Sequence, residues 1–418
     1  MDKLSAWIER HLVPIASKIA QNRILNILKS SMTIIISLLI IGSVAVLLSS
    51  FPVQAVADFF APAAPFLNAI YNCTTGMMGL FAAGSVAYYA AVEYEVDPVS
   101  SVLTSLAAFL LTQISLDGTL SIAGLGSAGL ITAMIIGIVT VLLIHFFKAH
   151  NLVIRMPDGV PQSVADSFVS LVPSAIILVA FGAVSLLLGI NVNNVISLLF
   201  TPLSAVINTP FGYALYHMLC CLVFFFGIQN GVVIGVVQPF ILQLGSANEA
   251  AVLAGQAAPY CITYAVDSMI WPISSLGLVL VMLLFSKSRA FKTVSRTSIV
   301  PAVFNIHEPV IFGTPIAFNP LFFIPFVLTP GIVAFLTFLL TDLGVLIHPV
   351  ISMVPWTIPP VAIGFFIGGG NIGWIVWSVV VILISMLINY PFFRIADKQE
   401  LEMENDEGQQ AAPGLEVE

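Results

Sequence analysis

Apolar positions in this chain run together rather than alternate. The stretches "SMTIIISLLIIGSVAVLLSS", Ser31 to Ser50, and "VSLVPSAIILVAFGAVSLLLGI", Val169 to Ile190, each reach the ~20 residues that a helix needs to cross a bilayer core. A porin-type strand would alternate apolar and polar residues, so the pattern argues against a barrel and predicts an all-α integral membrane protein. Further spans are expected near residues 66 to 92, 100 to 115 and 126 to 147, then near 195 to 208, 212 to 244 and 260 to 285, and finally near 317 to 341 and 371 to 393. The first twenty-five residues are amphipathic, with neither an apolar core nor a small-residue cleavage site. They predict a helix lying at the inner surface rather than a signal peptide.

Two inserts in the C-terminal part are apolar but too broken to be ordinary spans. "PAVFNIHEPVIFGTP" is interrupted by Asn305, Pro309, Gly313 and Pro315, and "HPVISMVPWTIPPVAIGFFIGGG" by Pro355, Pro359, Pro360 and Gly368 to Gly370. Neither can satisfy its backbone groups as a continuous helix, so both predict re-entrant hairpins. Irregular backbone is tolerated at membrane depth only where it is buried in protein or lines a watery cavity, and many transporters build substrate sites this way. The polar cluster at residues 305 to 308 is therefore expected to line a cavity.

Composition strengthens the membrane assignment and charge orients it. Hydrophobic residues make up 59% of the chain and charged ones 8%, with a mean hydropathy of +1.06, whereas a soluble domain carries charge on roughly a quarter of its residues. The thirteen Lys and Arg fall into four groups: Lys3 to Lys29, Lys148 with Arg155, Lys287 to Arg296, and Arg394 with Lys398. Each group belongs in the cytoplasm under the positive-inside rule, which demands an even number of crossings between neighbouring groups. About ten transmembrane helices plus two re-entrant hairpins satisfy that parity. Two membrane lobes are expected, 1–190 and 191–396, followed by an acidic, disordered tail at 397–418 that holds eight of the acidic residues.

Glu308 is the leading candidate for chemistry, because an ionisable group inside a membrane segment is costly unless it faces a cavity, pairs, or takes up a proton. A protonated carboxyl held by neighbouring backbone is the structural reading; an acceptor for a polar ligand, or a proton carrier, is the functional one. Asn305 and His307 flank it and could line the same cavity or cap a half-helix. In "FFFGIQNGVVIG", Gln229 and Asn230 sit between two glycines, and paired amides suit sugar hydroxyls because each offers donors and acceptors. "RMPDGVPQSVADSF" supplies Asp158 and Asp166. Trp356 lies in a broken segment, where a sugar ring could stack on its face, unlike aromatic residues that anchor helices at the interface. Asp267, Asp342, His217 and His348 are expected in structural or interfacial roles. Cys73, Cys220, Cys221 and Cys261 have no metal-ligand spacing and read as small buried hydrophobes. No metal or cofactor is expected. With neither a phosphate-cradling loop nor a basic patch, nucleic acid is not an expected partner.

The strings "NIHEPVIFGTPIAFNP", "MPDGVPQSVADSF", "VPWTIPP" and "FFGIQNG", which are long and fall in family order, resemble the membrane component, enzyme IIC, of the lactose/cellobiose/chitobiose family of the bacterial sugar phosphotransferase system. The resemblance extends to about residue 396 and implies ten spans plus two re-entrant hairpins, cytoplasmic termini in the bacterial inner membrane, and a homodimer built on the N-terminal half. It implies that the C-terminal lobe binds a disaccharide and presents its 6-hydroxyl to a phosphocysteine on a cytoplasmic IIB partner, itself supplied by IIA. Both partners are expected as separate chains, so phosphoryl chemistry would belong to the assembled complex rather than to this subunit. Glu308 matches the family glutamate near the acceptor hydroxyl. Two positions depart from the pattern: Gln229 replaces a sugar-binding histidine, and His307 replaces an asparagine. Three explanations stay open, namely that His307 takes over the imidazole's task, that sugar specificity has shifted, or that coupling to phosphorylation is lost. A proton-coupled secondary transporter and a non-transporting sugar sensor are the alternatives to the permease reading.

Overall fold

A computed structural model describes residues 21–49, 54–154, 156–157, 162–226, 230–314, 316 and 319–410. Among them the chain is helical throughout, with no strand beyond one isolated bridge between Ile114 and Leu120. Seven helices are long and apolar enough to cross a membrane. This agrees with the all-α membrane class.

The N-terminal helices are α1 (Arg23–Ser49), α2 (Met78–Glu93), α3 (Pro98–Gln113), α4 (Leu130–Ala149) and α5 (Gln162–Gly182). Lipid tails are as apolar as leucine, so such helices gain little by hiding apolar surface from each other and associate through close packing. Small residues permit that closeness: Ala82, Ala83, Ala87, Ala90 and Ala91 of α2 are completely buried. A Cβ on Gly137 of α4 would lie 2.9 Å from Val86 Cγ1, too near for a side chain. Arg23 pairs with Glu93 at 3.3 Å, and Lys148 Nζ donates to the Glu95 carbonyl at 2.8 Å. The first two basic groups thus meet at one end of the bundle, as the parity argument requires.

The chain continues through α6 (Val192–Ile207), α7 (Pro210–Phe225), α8 (Gly231–Leu253), α9 (Tyr264–Ile270) and α10 (Ile273–Phe285). Two expectations change here. The apolar segment at 195 to 208 is α6, bent 84° from α7. The bend follows from Thr209, which accepts the Gly212 N–H at 3.0 Å and starts a new helix with Pro210 in its first position. The segment at 212 to 244 is two helices, α7 and the start of α8, separated around Asn230.

The remaining elements are α11 (Arg289–Val303), α12 (Glu308–Gly313), α13 (Pro320–Asp342), α14 (Pro360–Ile367) and α15 (Ile372–Gln410). Between α13 and α14 the backbone is irregular, and its polar groups must be satisfied inside the protein. Asn248 and Glu249 of α8 do much of this. Asn248 Nδ2 donates to the carbonyls of Pro349 (2.9 Å) and Tyr260 (2.8 Å), and Glu249 Oε1 accepts the Ser352 N–H at 2.7 Å. The Trp374 indole donates to the Ile347 carbonyl, also at 2.8 Å. Gly369 and Gly370, at φ of 54° and 83°, make the turn from α14 into α15 that a Cβ would resist.

The disordered tail expected from residue 397 is corrected for residues 397–410, which extend α15. Asp397 is buried and accepts the N–H groups of Lys287 and Ser288 at 2.9 to 3.0 Å, while Glu404 accepts those of Arg289 (2.7 Å) and Ala290 (2.9 Å). Acidic side chains satisfy the orphan donors at the start of α11, and that order is invisible to a compositional reading. Residues 411–418 lie outside the described residues.

Candidate functional site: a cavity closed by two hairpin tips

The cavity begins with the end of α11. Asn305 has φ 62°, in the left-handed region where asparagine is tolerated better than most residues. The Ile306 N–H bonds the Pro301 carbonyl at 2.9 Å and the Asn305 N–H bonds that of Ala302 at 3.0 Å. This pair of reversed bonds is a Schellman ending, which stops the helix and turns the chain back toward α12. The Asn305 side chain then reaches the second irregular segment: Nδ2 donates to the carbonyls of Trp356 (2.6 Å) and Ile358 (2.9 Å). The two broken segments are therefore joined by one amide.

That amide has one atom left over. Asn305 Oδ1 is buried without a hydrogen-bond partner, as are both ring nitrogens of His307. His307 precedes α12 and its carbonyl accepts from Val310 and Ile311, but its side chain does not cap the helix. The ring is instead set edge-on to Trp271, with centroids 6.4 Å apart. Buried polar atoms in native proteins are almost all paired, so three orphans beside one cavity need a reason. A polar ligand supplies one.

The cavity measures about 270 Å³ and is lined by Asn305, His307, Trp356, Asn230, Asp267 and His217 together with aromatic residues of α7 and α9. Trp356 is 48% exposed, which leaves a free ring face. Asn230 precedes α8, where its carbonyl, and not its side chain, accepts from Val233 and Ile234. The side-chain amide is therefore not used in capping that helix.

Asp267 and His217, expected in structural or interfacial roles, also line this cavity. Asp267 Oδ1 accepts from the Tyr213 hydroxyl at 2.6 Å and lies 3.2 Å from His217 Nε2, and Oδ2 accepts from Tyr216 at 3.3 Å. Thr263 caps the start of α9, which holds the carboxylate opposite α7. With the carboxylate ionised, His217 donates from Nε2, and three donors then compensate a charge that would otherwise be expensive to bury. The signal available in sequence was "YALYHM", which puts Tyr213, Tyr216 and His217 on one helical face at spacings of three and four.

Among the remaining candidates, Gln229 and Asp158 lie outside the described residues. Glu308 opens α12, and its side chain also lies outside them, as does that of Asp166. Asp342 ends α13 away from the cavity lining, and His348 Nδ1 donates to the Ala258 carbonyl at 2.6 Å. Those two fit the structural roles expected. Among the described residues no group of His, Cys, Asp and Glu could hold a metal.

Irregular backbone meeting inside a bundle of apolar helices, around a polar chamber, defines a multi-pass membrane transporter for a small polar solute. Residues 29–330 match the family "Phosphotransferase system, EIIC". The chain is 33% identical to the lichenan permease IIC component of Bacillus subtilis (strain 168), over 97% of this chain and 96% of that one. It is 32% identical to the cellobiose-specific EIIC component of Geobacillus stearothermophilus, over 96% of each. The crystal structure of ChbC, the IIC component of the N,N'-diacetylchitobiose-specific phosphotransferase system, superposes with a TM-score of 0.91 at 30% identity, covering 96% of this chain and 99% of that one. The chain belongs to the phosphotransferase system EIIC family.

Proposed function

We propose that this permease binds a disaccharide of the cellobiose, lactose or chitobiose type in the hairpin cavity and carries it inward, coupled to phosphorylation by a separate IIB protein. The observation that carries the reading is the junction of the hairpin tips, where Asn305 ties Trp356 and Ile358 and leaves its own Oδ1 and both His307 nitrogens unpartnered. A sugar hydroxyl donates to Oδ1 and pairs with His307, while the ring stacks on Trp356. Sites that hydrogen-bond a hydroxyl reject analogues lacking it, because the buried partners would then be orphaned. Glu308 takes the acceptor 6-hydroxyl, orients it and receives its proton as the oxygen attacks the phosphorus of the IIB phosphocysteine. The P–S bond breaks, the thiolate leaves, and the charged sugar phosphate does not re-bind. Positioning dominates such a transfer, and the base contributes modestly.

Gln229, Asn230 and Asp158 complete the sugar contacts in this reading. Cytoplasmic termini belong to this reading and are supported by the basic residues, whose first two groups meet at one end of the bundle. The working unit is a homodimer built on residues 1–190, with IIA recharging IIB.

The decisive experiment loads membranes with labelled cellobiose, lactose or N,N'-diacetylchitobiose, supplies phosphoenolpyruvate and the phosphocarriers, and looks for sugar phosphate. Glu308→Gln should bind sugar and lose product. If His307→Asn leaves uptake and phosphorylation untouched, His307 has no part in the site. A second reading rests on Asp267, since a buried carboxylate with a histidine beside a cavity is what a proton-driven carrier needs. Accumulation of unmodified sugar that an uncoupler abolishes would select it.

A further inference from the structure

A second chamber, of about 410 Å³, lies beneath α6. Its walls include Ser127 and Thr132 near the start of α4, and Gln243 and Ala247 far along α8. The opposite end of α4 carries Lys148, and the start of α8 lies against Lys29. The chamber therefore opens on the membrane face away from the basic residues. Along α8 it is separated from the inner cavity by somewhat under two turns, since Ile234 lines the inner cavity and Phe240 the second, six positions on. Buried Ile207, Tyr213, Ile241 and Ile262 belong to the apolar cluster packed between these elements.

The roof is the informative part. Helix α6 turns Asn193, Ser197, Thr201, Ser204 and Asn208 toward the chamber, at spacings of three and four, while Leu198 and Leu199 on its other side are 74% and 71% exposed. In a bilayer this is a polar face turned toward the chamber and an apolar face turned away from it. The roof is pinned across to α3 by reciprocal amide bonds, Asn193 Nδ2 to Gln113 Oε1 at 2.7 Å and Gln113 Nε2 to Asn193 Oδ1 at 3.2 Å. Asn208 Oδ1 is buried with no partner. Phe200 and Phe240, with ring centroids 6.1 Å apart, and Tyr260 add aromatic faces.

No charged side chain is among the lining residues. An anion such as a lipid headgroup would find no countercharge there, whereas a neutral polyol finds hydroxyls, amides and rings in a volume within the ~300–1,000 Å³ of ordinary ligand sites. We infer that this chamber is an outer sugar-binding vestibule, which holds an uncharged saccharide on the face opposite the basic residues before it reaches the hairpin cavity. The inference rests on the permease reading for the identity of the solute.

The test places a cysteine in the roof, Ser197→Cys, in a Cys73→Ser background, because Cys73 is the exposed natural cysteine among the described residues. Intact cells are treated with a membrane-impermeant maleimide with and without cellobiose, lactose or N,N'-diacetylchitobiose. Labelling that the transported sugar slows severalfold is the expected result. No labelling from outside, or labelling unchanged by any sugar that the cells take up, would overturn the vestibule. Ser204→Trp adds an independent reading: it should raise the KM for uptake severalfold, and an unchanged KM in a normally expressed variant counts against the inference. If wild-type membranes form no sugar phosphate yet sugar still protects Cys at position 197, the coupling proposed above fails and the vestibule stands.

Discussion

The N-terminal helices and the C-terminal helices solve the same solvent problem in opposite ways. In the first group, α2 and α4 run unbroken, satisfy their own backbone, and pack through Ala82, Ala83, Ala87 and Gly137. In the second, helices end inside the protein at Asn305 and around residues 343 to 359, and the freed backbone groups are taken up by Asn248, Glu249, Asn305 and Trp374. Unbroken helices keep their own backbone groups paired and give a closely packed wall. Interrupted ones need many more internal hydrogen bonds, and where those stop short, atoms of Asn305 and His307 are left unpaired beside a cavity.

Substitutions can break this comparison, and the largest effect is expected at Asn305. Asn305→Leu removes both bonds between the hairpin tips and places a bulky residue at φ 62°. The two bonds are worth about 1 kcal/mol each and the strained backbone about 1–2 kcal/mol more. Sugar phosphate formation should fall by more than about 30-fold, and Asn305→Gly, which relieves the strain and not the lost bonds, should recover part of it. Equal activity of all three proteins would mean that the hairpins do not need this tie.

Asp267→Asn comes next. It swaps a three-donor acceptor for an amide that cannot accept from Tyr213, Tyr216 and His217 equally well. Breaking a buried charged hydrogen bond costs about 1.5–3 kcal/mol, so sugar affinity measured by calorimetry should weaken roughly 10- to 100-fold. An unchanged affinity would reduce the network to scaffolding.

Gly137→Leu sharpens the contrast from the other side. Overpacking against Val86 and the Ala83 carbonyl should lower stability by about 1–3 kcal/mol, read as a reduced unfolding temperature in detergent. The affinity of the protein that remains folded should not change. A selective loss of sugar binding would show that the N-terminal wall is part of the site.

Trp356→Leu is expected to do least. Aromatic contacts contribute about 1 kcal/mol, so KM should rise about fivefold with maximal rate retained, because the carbonyl that Asn305 bonds survives the change.

The two breaks were legible because proline, glycine and asparagine interrupt apolar runs that otherwise continue, a conflict written in local sequence. Asn305, His307, Asn230 and Trp356 were found by that reasoning, and all four line one cavity. Asp267 and His217 were passed over because they lie on different helices, fifty residues apart, and an acid near an apolar run resembles an interfacial anchor until its partners are known. The tail misled for a related reason: eight acids in twenty-two residues look solvated, yet Asp397 and Glu404 meet main-chain donors more than a hundred positions away.

By itself the sequence determined the solvent, the helical class, the clustering of basic charge and the places where helices must stop, since these depend on residue type and near neighbours. Tertiary structure alone decided which broken ends meet, which carboxylate is held by tyrosines and histidine, and that α6 bends 84° away from α7 over a second chamber. Those outcomes depend on which distant donors and acceptors come within about 3 Å, a condition that packing sets and residue order does not reveal.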